Sequence, residues 1–484
     1  KLQESDVADI EELEPTIVNT GGLDENFIAG VFVGNNDSRI ILKTEDGTKY
    51  NVHLNDNFSN VLRDLEKLAK EEEKIVKKED ININLVNVKV LDNDIYMEDD
   101  LESYFVIEPS WLINVTALQA FDFCERSLFN DRFSLSSQNE YMMRGSIVHE
   151  VFEKVLKDPS DRAGLENELS KSFDKRGLEF GLLSLNHNDM ENTFVRPHLN
   201  ALYKYRTKEM SNISEVNTER FIINPVLGLK GKIDAVVKEK DGHRAIELKT
   251  GKSWGGKAKP GHIFQVQAYS LLMEMKLKEN EDVLDPILVY SGDKDTPYFE
   301  TIGRGVSFNY FNKAHIINLR NKLVLADYLF TLDYEKGNIT KCDKCMQKSI
   351  CHNLYTLELD NDENNIPLFF NSHLGGDYSK EEKEFFNNYN RLITEEYRLI
   401  KENQGDYLSS AVEDRTKSGK CVIVQDSQHL GDFIYILACN NSSELRKMDR
   451  CLLSDDQGPI AGECIEVTVL DVSASSIRIK TRAK

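Results

Sequence analysis

The strongest constraint on the fold of this chain is a predicted hairpin that brings charged side chains together. Residues 231–234 (GKID) open one β-type segment, a turn of Lys, Glu, Lys, Asp and Gly follows, and residues 246–249 (IELK) lie on the next segment. Because side chains alternate along a strand, Glu247 and Lys249 face the same side. Leu248 points into the opposite core and leaves its backbone carbonyl beside them.

Asp234 on the first strand completes this cluster. Two carboxylates and a backbone carbonyl are hard oxygen ligands, which suit Mg²⁺ or Mn²⁺. A neighbouring ammonium stabilises the charge of an attacking hydroxide or of a phosphorane-like transition state. Hydrolysis of a phosphodiester needs this combination, so Asp234, Glu247 and Lys249 are the predicted catalytic residues.

A histidine lies upstream on a predicted helix. In residues 144–156 (RGSIVHEVFEKVL) the apolar side chains recur at helical spacing and form one stripe. His149 falls at the edge of that stripe, beside Phe152 and Leu156, and faces inward. Taken alone, it would be interpreted as a hydrogen-bonded histidine at the edge of a core.

Downstream of the hairpin, Gln265 and Tyr269 lie four residues apart and therefore share one helical face. Together they are placed to orient a substrate. The same spacing also occurs in ordinary amphipathic helices, so this pattern is weak by itself.

The combined order of these residues resembles the RecB-type branch of the PD-(D/E)xK nuclease superfamily. The matching positions are His149, Gly231-x2-Asp234, Glu247-x-Lys249 and Gln265-x3-Tyr269. The resemblance implies an α/β fold with a mixed central sheet flanked by helices. It also implies a metal ion held by His149, Asp234 and Glu247, with Lys249 catalytic. Glu219 matches a further acidic position, although a surface glutamate on a strand is the plainer interpretation.

Three cysteines follow the hairpin region, Cys342, Cys345 and Cys351. Together with His352 they would suit zinc, and on spacing alone zinc and an iron–sulfur cluster are equally compatible. With Cys124, which precedes the predicted core, the pattern resembles the iron–sulfur nucleases. That resemblance implies a [4Fe–4S] cluster that staples the two ends of the domain. The alternative for Cys124 is a small buried side chain.

A basic loop follows the second strand of the hairpin. Residues 251–258 (GKSWGGKA) have the spacing of a nucleotide phosphate loop, but Ala258 replaces the hydroxyl that would hold magnesium. We instead interpret Lys252, Trp254 and Lys257 as the wall of a groove that tracks a polynucleotide backbone and stacks on a base. A loop whose tryptophan merely packs is the alternative. Arg144, Gln265 and Tyr269 complete the predicted substrate-binding set.

The pattern of strands and helices predicts four regions. An acidic tail with a β domain resembling an oligonucleotide-binding (OB) barrel comes first, then the α/β nuclease core, a charged helical stalk and a second small β-barrel. The predicted bounds are residues 1–108, 109–357, 358–412 and 413–484.

Composition narrows the function classes further. The formal net charge of -22 argues against a protein coated in positive potential for duplex binding, so a nucleic-acid role requires a local basic channel. No apolar run approaches the ~18 residues of a membrane-spanning helix, and no secretory leader is visible. Because Lys1 stands in place of an initiator Met, we expect a fragment of a longer protein.

The whole layout resembles the eukaryotic family of replication helicase/nucleases that act in Okazaki-fragment maturation. The resemblance implies endonucleolytic cutting of single-stranded 5′ flaps and resected ends, with single-stranded and 5′-flap DNA as ligands. It implies replication protein A as partner, a monomer, and localisation in the nucleus with the mitochondrion as a second site. No motor motif precedes Lys484, so we expect helicase and ATPase activity to lie outside this chain.

Two rival interpretations remain open. The chain could be another iron–sulfur nuclease, such as a single-strand exonuclease or a CRISPR-adaptation nuclease, but those are usually short and lack the stalk and barrel. It could also be a DNA-end-binding scaffold that has lost activity, as its acidic balance would suit. The presence of His149, Asp234, Glu247 and Lys249 together argues against the scaffold.

Overall fold

The computed structural model divides the chain into two compact units, Lys1–Glu108 and Pro109–Lys484. The residues that it describes are 16–17, 27–36, 39–66, 81–131, 139–274, 282–292, 298–301, 309–329, 342, 345, 347–357, 376–409, 412–431, 433–456, 458–461 and 464–481. The predicted acidic tail before residue 16 and most of the helix predicted for residues 61–80 lie outside them. In the described part of the chain, no helix is both long and apolar enough to cross a membrane.

The first unit is a β domain with one eight-stranded sheet in its described residues. Its strands are β1 (Thr16–Ile17), β2 (Phe27–Asn36), β3 (Arg39–Lys43), β4 (Lys49–His53), β5 (Ile81–Val86), β6 (Val88–Leu91), β7 (Asp94–Met97) and β8 (Tyr104–Ile107). The strand order is β1-β6-β7-β4-β3-β2-β5-β8. Only the β4–β7 pairing among these strands is parallel. The OB-type barrel stays a prediction.

Strands β2, β3 and β4 pair antiparallel in sequence order. The turn between β3 and β4 forms where the sequence has Glu, Asp and Gly. Gly47 adopts a φ of 88°, which residues with a side chain rarely reach, and Asp46 accepts a hydrogen bond from the backbone N–H of Thr48 at 3.0 Å.

The second unit is an α/β domain. Its helices are α1 (Val115–Phe123), α2 (Ser127–Asp131), α3 (Glu140–Lys157), α4 (Arg162–Asp174), α5 (Gly177–Leu182), α6 (His187–Asp189), α7 (Arg196–Glu209), α8 (Pro260–Glu274), α9 (Tyr310–Leu329), α10 (Lys348–Leu357), α11 (Lys380–Ser409), α12 (Val412–Lys417) and α13 (Gly458–Ala461), with a π-helical turn at Met190–Val195. Its strands are β9 (Ile113–Asn114), β10 (Glu215–Asn224), β11 (Leu229–Glu239), β12 (Gly242–Lys249), β13 (Val283–Tyr290), β14 (Tyr298–Thr301), β15 (Val424–Gly431), β16 (Ile434–Cys439), β17 (Arg450–Ser454), β18 (Cys464–Val472) and β19 (Ser476–Thr481).

The central sheet of this unit is mixed, which confirms the predicted α/β class. Its order is β14-β13-β12-β11-β10-β18-β19-β16-β15, with β17 beside β18 and β9 beside β11. Strands β11 and β12 form the predicted antiparallel hairpin, and β12 pairs parallel to β13. Helices lie on both faces. The α3, α4 and α7 side packs on alternate residues of β11, β12 and β13, while α8 packs on the opposite face of β13.

Three features of the sequence stabilise helix α3: a capping residue at its N-terminus, an apolar stripe along one face, and lysines in its last turn. The Asn139 side chain accepts a hydrogen bond from the Met142 N–H at 2.9 Å at the N-terminus, and Lys154 and Lys157 lie in the last turn, where cations are favourable. The predicted apolar stripe is confirmed, since Val148, Val151, Phe152, Val155 and Leu156 are all buried. Each such side chain contributes about 1.5–3 kcal/mol on burial.

The C-terminal strands differ from the separate barrel that the sequence favoured. Strand β18 pairs with β10 at Phe221 and Cys464, so β15 to β19 continue the central sheet. Leu112, Phe221, Ile223 and Cys464 form one shared apolar cluster, which explains the junction. Among the described strands no pairing joins β15 to β17, so the register does not close them into a barrel.

The long helix predicted as a stalk is present as α11, but it lies against its own unit. Tyr397 makes an edge contact with Trp111, with ring centroids 6.3 Å apart, and its hydroxyl donates to Asp327 at 3.4 Å. Lys401 donates to the backbone carbonyl of Leu112 at 3.3 Å. The charged sequence of this helix therefore belongs to its outer faces and does not indicate a free spacer.

Candidate active site

The polar cluster forms where the two strands of the hairpin part. The β11–β12 pairing ends at Ala235 and Ile246. Two residues further along β12, the N–H of Leu248 therefore has no backbone hydrogen-bond partner on β11. The Asp234 carboxylate fills this role and accepts a hydrogen bond from the Leu248 N–H at 2.8 Å. The Leu248 side chain points into the opposite core, as predicted, and is fully buried.

A hydrogen-bonded network connects β12 to helix α8. Lys249 Nζ donates to Glu247 Oε1 at 2.7 Å and to Gln265 Oε1 at 2.8 Å. Gln265 Nε2 donates to Glu247 Oε1 at 2.9 Å and lies 3.2 Å from the Tyr269 hydroxyl. The strand alternation and the helical spacing seen in the sequence therefore produce one network.

His149 enters this site from helix α3. Its Nδ1 lies 3.4 Å from Asp234 Oδ1, and its side chain is 31% exposed, so the imidazole is open to solvent on one side. Burial disfavours the charged imidazole, but attraction to Asp234 outweighs this, and the pKa of His149 lies above its ordinary value. For Asp234, burial is outweighed by His149 and by the Leu248 N–H, so its pKa is lowered.

Glu247 is the most strongly perturbed carboxyl group of the cluster. Burial, followed by repulsion from Asp234, raises the pKa of Glu247 to about 7, and the neighbouring Lys249 offsets only part of this effect. Two carboxylates of one cluster thus have pKa values shifted in opposite directions, an arrangement characteristic of functional sites.

The glycine at position 231 allows two elements of the site to approach, whereas Gly145 has room for an ordinary side-chain contact. A Cβ atom at Gly231 would lie 2.7 Å from the ring of Tyr269, so the glycine of the GKID segment leaves room for that tyrosine. At Gly145 a Cβ would contact the Thr250 hydroxyl at 3.5 Å. Beside it, Arg144 donates to the backbone carbonyl of Thr250 at 3.2 Å, which ties α3 to the end of β12.

The sequence analysis missed His262 and Tyr290. His262 Nδ1 lies 2.6 Å from the Tyr290 hydroxyl, and burial together with the charges of Lys249 and Lys259 lowers the pKa of His262 to about 4. The signal was available, because residues 262, 265 and 269 follow the i, i+3, i+7 spacing of one helical face.

The remaining predicted substrate residues do not join this network. Lys252, Trp254 and Lys257 are exposed on the loop between β12 and α8. Backbone hydrogen bonds link Trp254 and Lys257 in a tight turn, and the Trp254 side chain is 72% exposed. Glu219, with a φ of 55°, forms an ion pair with Lys232 on β11. The loop is therefore open to a ligand, and Glu219 already has a protein partner.

The cysteines predicted as cluster ligands come close to one another. Burial raises the pKa of Cys342, and repulsion from Cys124, Cys351 and Cys345 adds to it. Buried Arg126 donates from Nη1 to Cys351 Sγ at 3.1 Å. No disulfide joins any of the eight cysteines, all of which belong to the described residues. Four thiols that interact in this way are a donor set suited to iron or zinc.

The donor sets suit a metal ion in their chemistry but not in their present geometry. Within the residues that the structure describes, no three His, Cys, Asp or Glu side chains are close enough to hold a metal ion as they stand. Yet Glu247 Oε2 is buried and accepts no hydrogen bond from any described residue. A buried acceptor without a donor suits a cation. The carboxylates of the hairpin cluster are therefore suitable ligands for a metal ion. In this structure they are turned toward Lys249, Gln265 and the Leu248 N–H.

The fold and the site together define a class. A mixed sheet with helices on both faces presents two carboxylates, a lysine and a histidine at the opening of a hairpin, which is consistent with an α/β nuclease domain.

Comparison with known proteins shows which proteins this chain is similar to. Residues 45–217 match the family model described as "DNA replication factor Dna2". The chain is 24% identical over 361 residues to the "DNA replication ATP-dependent helicase/nuclease dna2" of Schizosaccharomyces pombe, which covers 69% of this chain and 24% of the relative. It is 23% identical over 399 residues to the Arabidopsis thaliana "DNA replication ATP-dependent helicase/nuclease JHS1", with coverages of 72% and 29%. This chain therefore carries a Dna2-like nuclease region, and the predicted resemblance is confirmed.

The extent of these matches is limited. The chain spans about a quarter of the length of the curated relatives it matches, 24% and 29% for the two above. A solved structure described as "Crystal structure of SSO0001" aligns with 49% of this chain and 95% of that chain at 17% identity. Its TM-score is 0.20, so the likeness carries no argument about the fold.

Proposed function

We propose that this chain is the nuclease-bearing part of a DNA replication nuclease-helicase and cuts single-stranded DNA endonucleolytically. Its proposed substrates are 5′ flaps formed in Okazaki-fragment maturation and the strands of resected DNA ends. The observation that carries this proposal is the buried network of Glu247, Lys249 and Gln265 beside the His149–Asp234 pair, in a chain with a Dna2-like nuclease region.

His149, Asp234, Glu247 and the Leu248 carbonyl are the proposed ligands of Mg²⁺ or Mn²⁺. Such an ion, when bound, supplies charge neutralisation and an activated water. The chain itself positions Lys249 through two hydrogen bonds, so that its ammonium is held at the site where phosphate charge develops. Gln265 fixes the side chains of Glu247 and Lys249 relative to each other through its hydrogen bonds to both. The apolar packing around the Leu248 side chain keeps the strand rigid.

Cleavage assays on oligonucleotides test this proposal. The purified chain should cut a single-stranded oligonucleotide and the flap of a 5′-flapped duplex with Mg²⁺ or Mn²⁺, and should not cut them in chelator. A blunt duplex of the same sequence should stay intact, and a 3′-flapped duplex establishes the preference for polarity. Cutting that is restricted to free ends would favour the exonuclease alternative. Binding without any cutting in either metal would favour the inactive scaffold.

A [4Fe–4S] cluster held by Cys124, Cys342, Cys345 and Cys351 is the second part of the proposal. The mutual electrostatic effect of the four thiols supports it, as does the Arg126 hydrogen bond to Cys351. Protein prepared without oxygen should be brown and should contain iron and sulfide in stoichiometric amounts. Zinc in their place would overturn this assignment.

The cellular context is proposed from the same family. Replication protein A would be the partner that delivers single-stranded DNA, the chain would act as a monomer, and the nucleus would be its main location, with the mitochondrion as a second one. The family match at residues 45–217 supports the replication context. Pull-down of the heterotrimeric single-strand-binding protein with this chain, with and without DNA, tests the partnership directly.

A further inference from the structure

A cavity of about 410 Å³ has His149 in its lining. Two parts of the second unit build its wall. Helices α3 and α4 and the turn after α4 contribute Ser146, Glu150 and Lys175 among others, and the C-terminal strands with the turn before β16 contribute Phe433, Lys480 and Thr481. The volume lies within the ~300–1,000 Å³ of small-ligand sites. The C-terminal strands thus complete a cavity that also contacts the predicted metal ligand His149.

Phe433 is held in this wall by an unusual backbone. Its φ is 62°, a left-handed conformation that costs an aromatic residue energy and persists only where the surroundings enforce it. The enforcing contacts come from Thr481, whose N–H donates to the Phe433 carbonyl at 2.9 Å and whose hydroxyl donates to it at 3.4 Å. The strands therefore fix an aromatic ring in the cavity wall at the cost of local strain.

The cavity wall carries four glutamates, Glu150, Glu153, Glu168 and Glu219, and three cations, Lys175, Arg176 and Lys480. Glu150 pairs with Arg176 at 2.7 Å, and Glu153 pairs with Lys157 at 2.6 Å. Among the described residues, Lys480 has no ion pair, and it is exposed. Because the acids of this wall outnumber its cations, it disfavours a bare anion, while its aromatic ring and the Lys480 ammonium suit a nucleobase with its adjacent phosphate.

The ring face of Phe433 can be vacated for a ligand. Lys175 Nζ lies 5.6 Å from the ring centroid, in cation–π range. The same ammonium lies 3.8 Å from Glu150 Oε2, so it retains a partner if a base displaces it from the ring.

We propose that this cavity binds the nucleotide adjacent to the cleaved phosphodiester of single-stranded DNA, with Phe433 stacking on its base and Lys480 contacting its phosphate. This inference rests on the proposed function and assigns one of its substrate contacts to the C-terminal strands. It predicts that one base position beside the cut contributes to the rate through Phe433.

The test combines each Phe433 variant with a series of oligonucleotides, in which a single abasic site is moved one position at a time, and measures kcat/KM for every pair. For the unaltered chain, kcat/KM should fall about tenfold when the abasic site occupies the position that meets Phe433. Phe433→Asn removes the ring but suits a positive φ, so folding should persist. This variant should cut intact DNA about tenfold more slowly and should lose the sensitivity to the abasic site. Phe433→Tyr should behave like the unaltered chain.

Phe385→Asn is the matched control, because Phe385 is an aromatic residue 64% exposed on helix α11, away from the cavity. It should change neither the rate nor the abasic profile. The inference would be overturned if Phe433→Asn cut every substrate equally slowly and kept the sensitivity to the abasic site, or if it cut at the normal rate. In either case, cutting by the unaltered chain would still support the proposed function. An unaltered chain that cuts none of the oligonucleotides refutes both.

Discussion

The carboxylate cluster and the cysteine group are both donor sets collected from distant parts of the chain, but the protein holds them differently. Asp234 and Glu247 are each fixed by protein donors, the Leu248 N–H for one and Lys249 with Gln265 for the other. The cysteines have fewer such supports, of which the hydrogen bond from Arg126 to Cys351 is the clearest. Burial, with a smaller contribution from the neighbouring cysteines, raises the pKa of Cys342 and of Cys351, so these two thiols need a further partner to be held as thiolates.

This difference indicates two roles. A site whose side chains are ordered by the protein alone is preorganised for chemistry, and its loss should remove activity without loss of structure. A donor set that depends on its ligand couples ligand binding to folding, and its loss should remove structure first. The experiments below separate these two outcomes.

The largest expected effect is that of Asp234→Asn on cutting. The amide keeps an oxygen that accepts from the Leu248 N–H but loses the charge that pairs with His149 and that a cation requires. The rate of single-strand cutting should fall by at least about 10³-fold. The melting temperature and the iron content should stay unchanged. Asp241→Asn, on the exposed hairpin turn, is the control and should cut normally. Normal cutting by the Asp234 variant would remove the metal assignment.

Cys345→Ser should show the reverse pattern. We expect loss of iron and of visible absorbance, and a decrease of about 3 kcal/mol or more in the free energy of unfolding of the second unit. Metal analysis and denaturant unfolding measure the two effects. Cys421→Ser, a partly buried cysteine outside the group, should keep the iron. If the Cys345 variant retained full iron and stability, the contrast between the two donor sets would be wrong.

The pH dependence of stability should report the burial of Glu247. Because its folded-state pKa of about 7 exceeds its ordinary value of 4.5, the folded chain retains a proton that the unfolded chain releases. In metal-free protein, stability should therefore fall as the pH rises from about 4.5 to about 7 and should then level off. The decrease attributable to this group is about 3 kcal/mol. Glu247→Gln should flatten that part of the profile, and an unchanged profile in this variant would show that the carboxyl is not perturbed.

The sequence predicted the local geometry of the candidate site well because two simple periodicities determine it. Strand alternation places Glu247 beside Lys249, and helical spacing places Gln265 beside Tyr269. The resemblance to replication helicase/nucleases followed from the layout of the whole chain and is confirmed by the comparisons, whereas the RecB-type core inferred from the order of these residues stays a prediction. The ligand and substrate roles of these residues stay predictions.

Long-range features were harder to predict, because periodicity contains no information on which strands become neighbours. The pairing of Phe221 with Cys464 joins segments more than two hundred residues apart and turns a predicted separate barrel into an extension of the central sheet. His262 was missed because its partner, Tyr290, lies on β13, beyond the helix that carries the histidine. The charge of α11 suggested a free stalk. The helix instead contacts its own unit through residues such as Tyr397, which are too few to stand out in a highly charged sequence.

The smallest expected effect tests a third kind of region, the exposed turn of the loop between β12 and α8. Trp254 is 72% exposed above a turn made by its backbone bonds to Lys257, so its removal costs little packing. If it stacks on a base, Trp254→Ala should weaken single-strand binding by about 1 kcal/mol, or roughly fivefold, while Trp254→Phe should bind nearly normally. Fluorescence anisotropy with a labelled oligonucleotide measures both affinities. Equal weakening by both variants would indicate that the indole only supports the loop, whereas a selective loss in the alanine variant would extend the substrate path from the preorganised cluster to this loop.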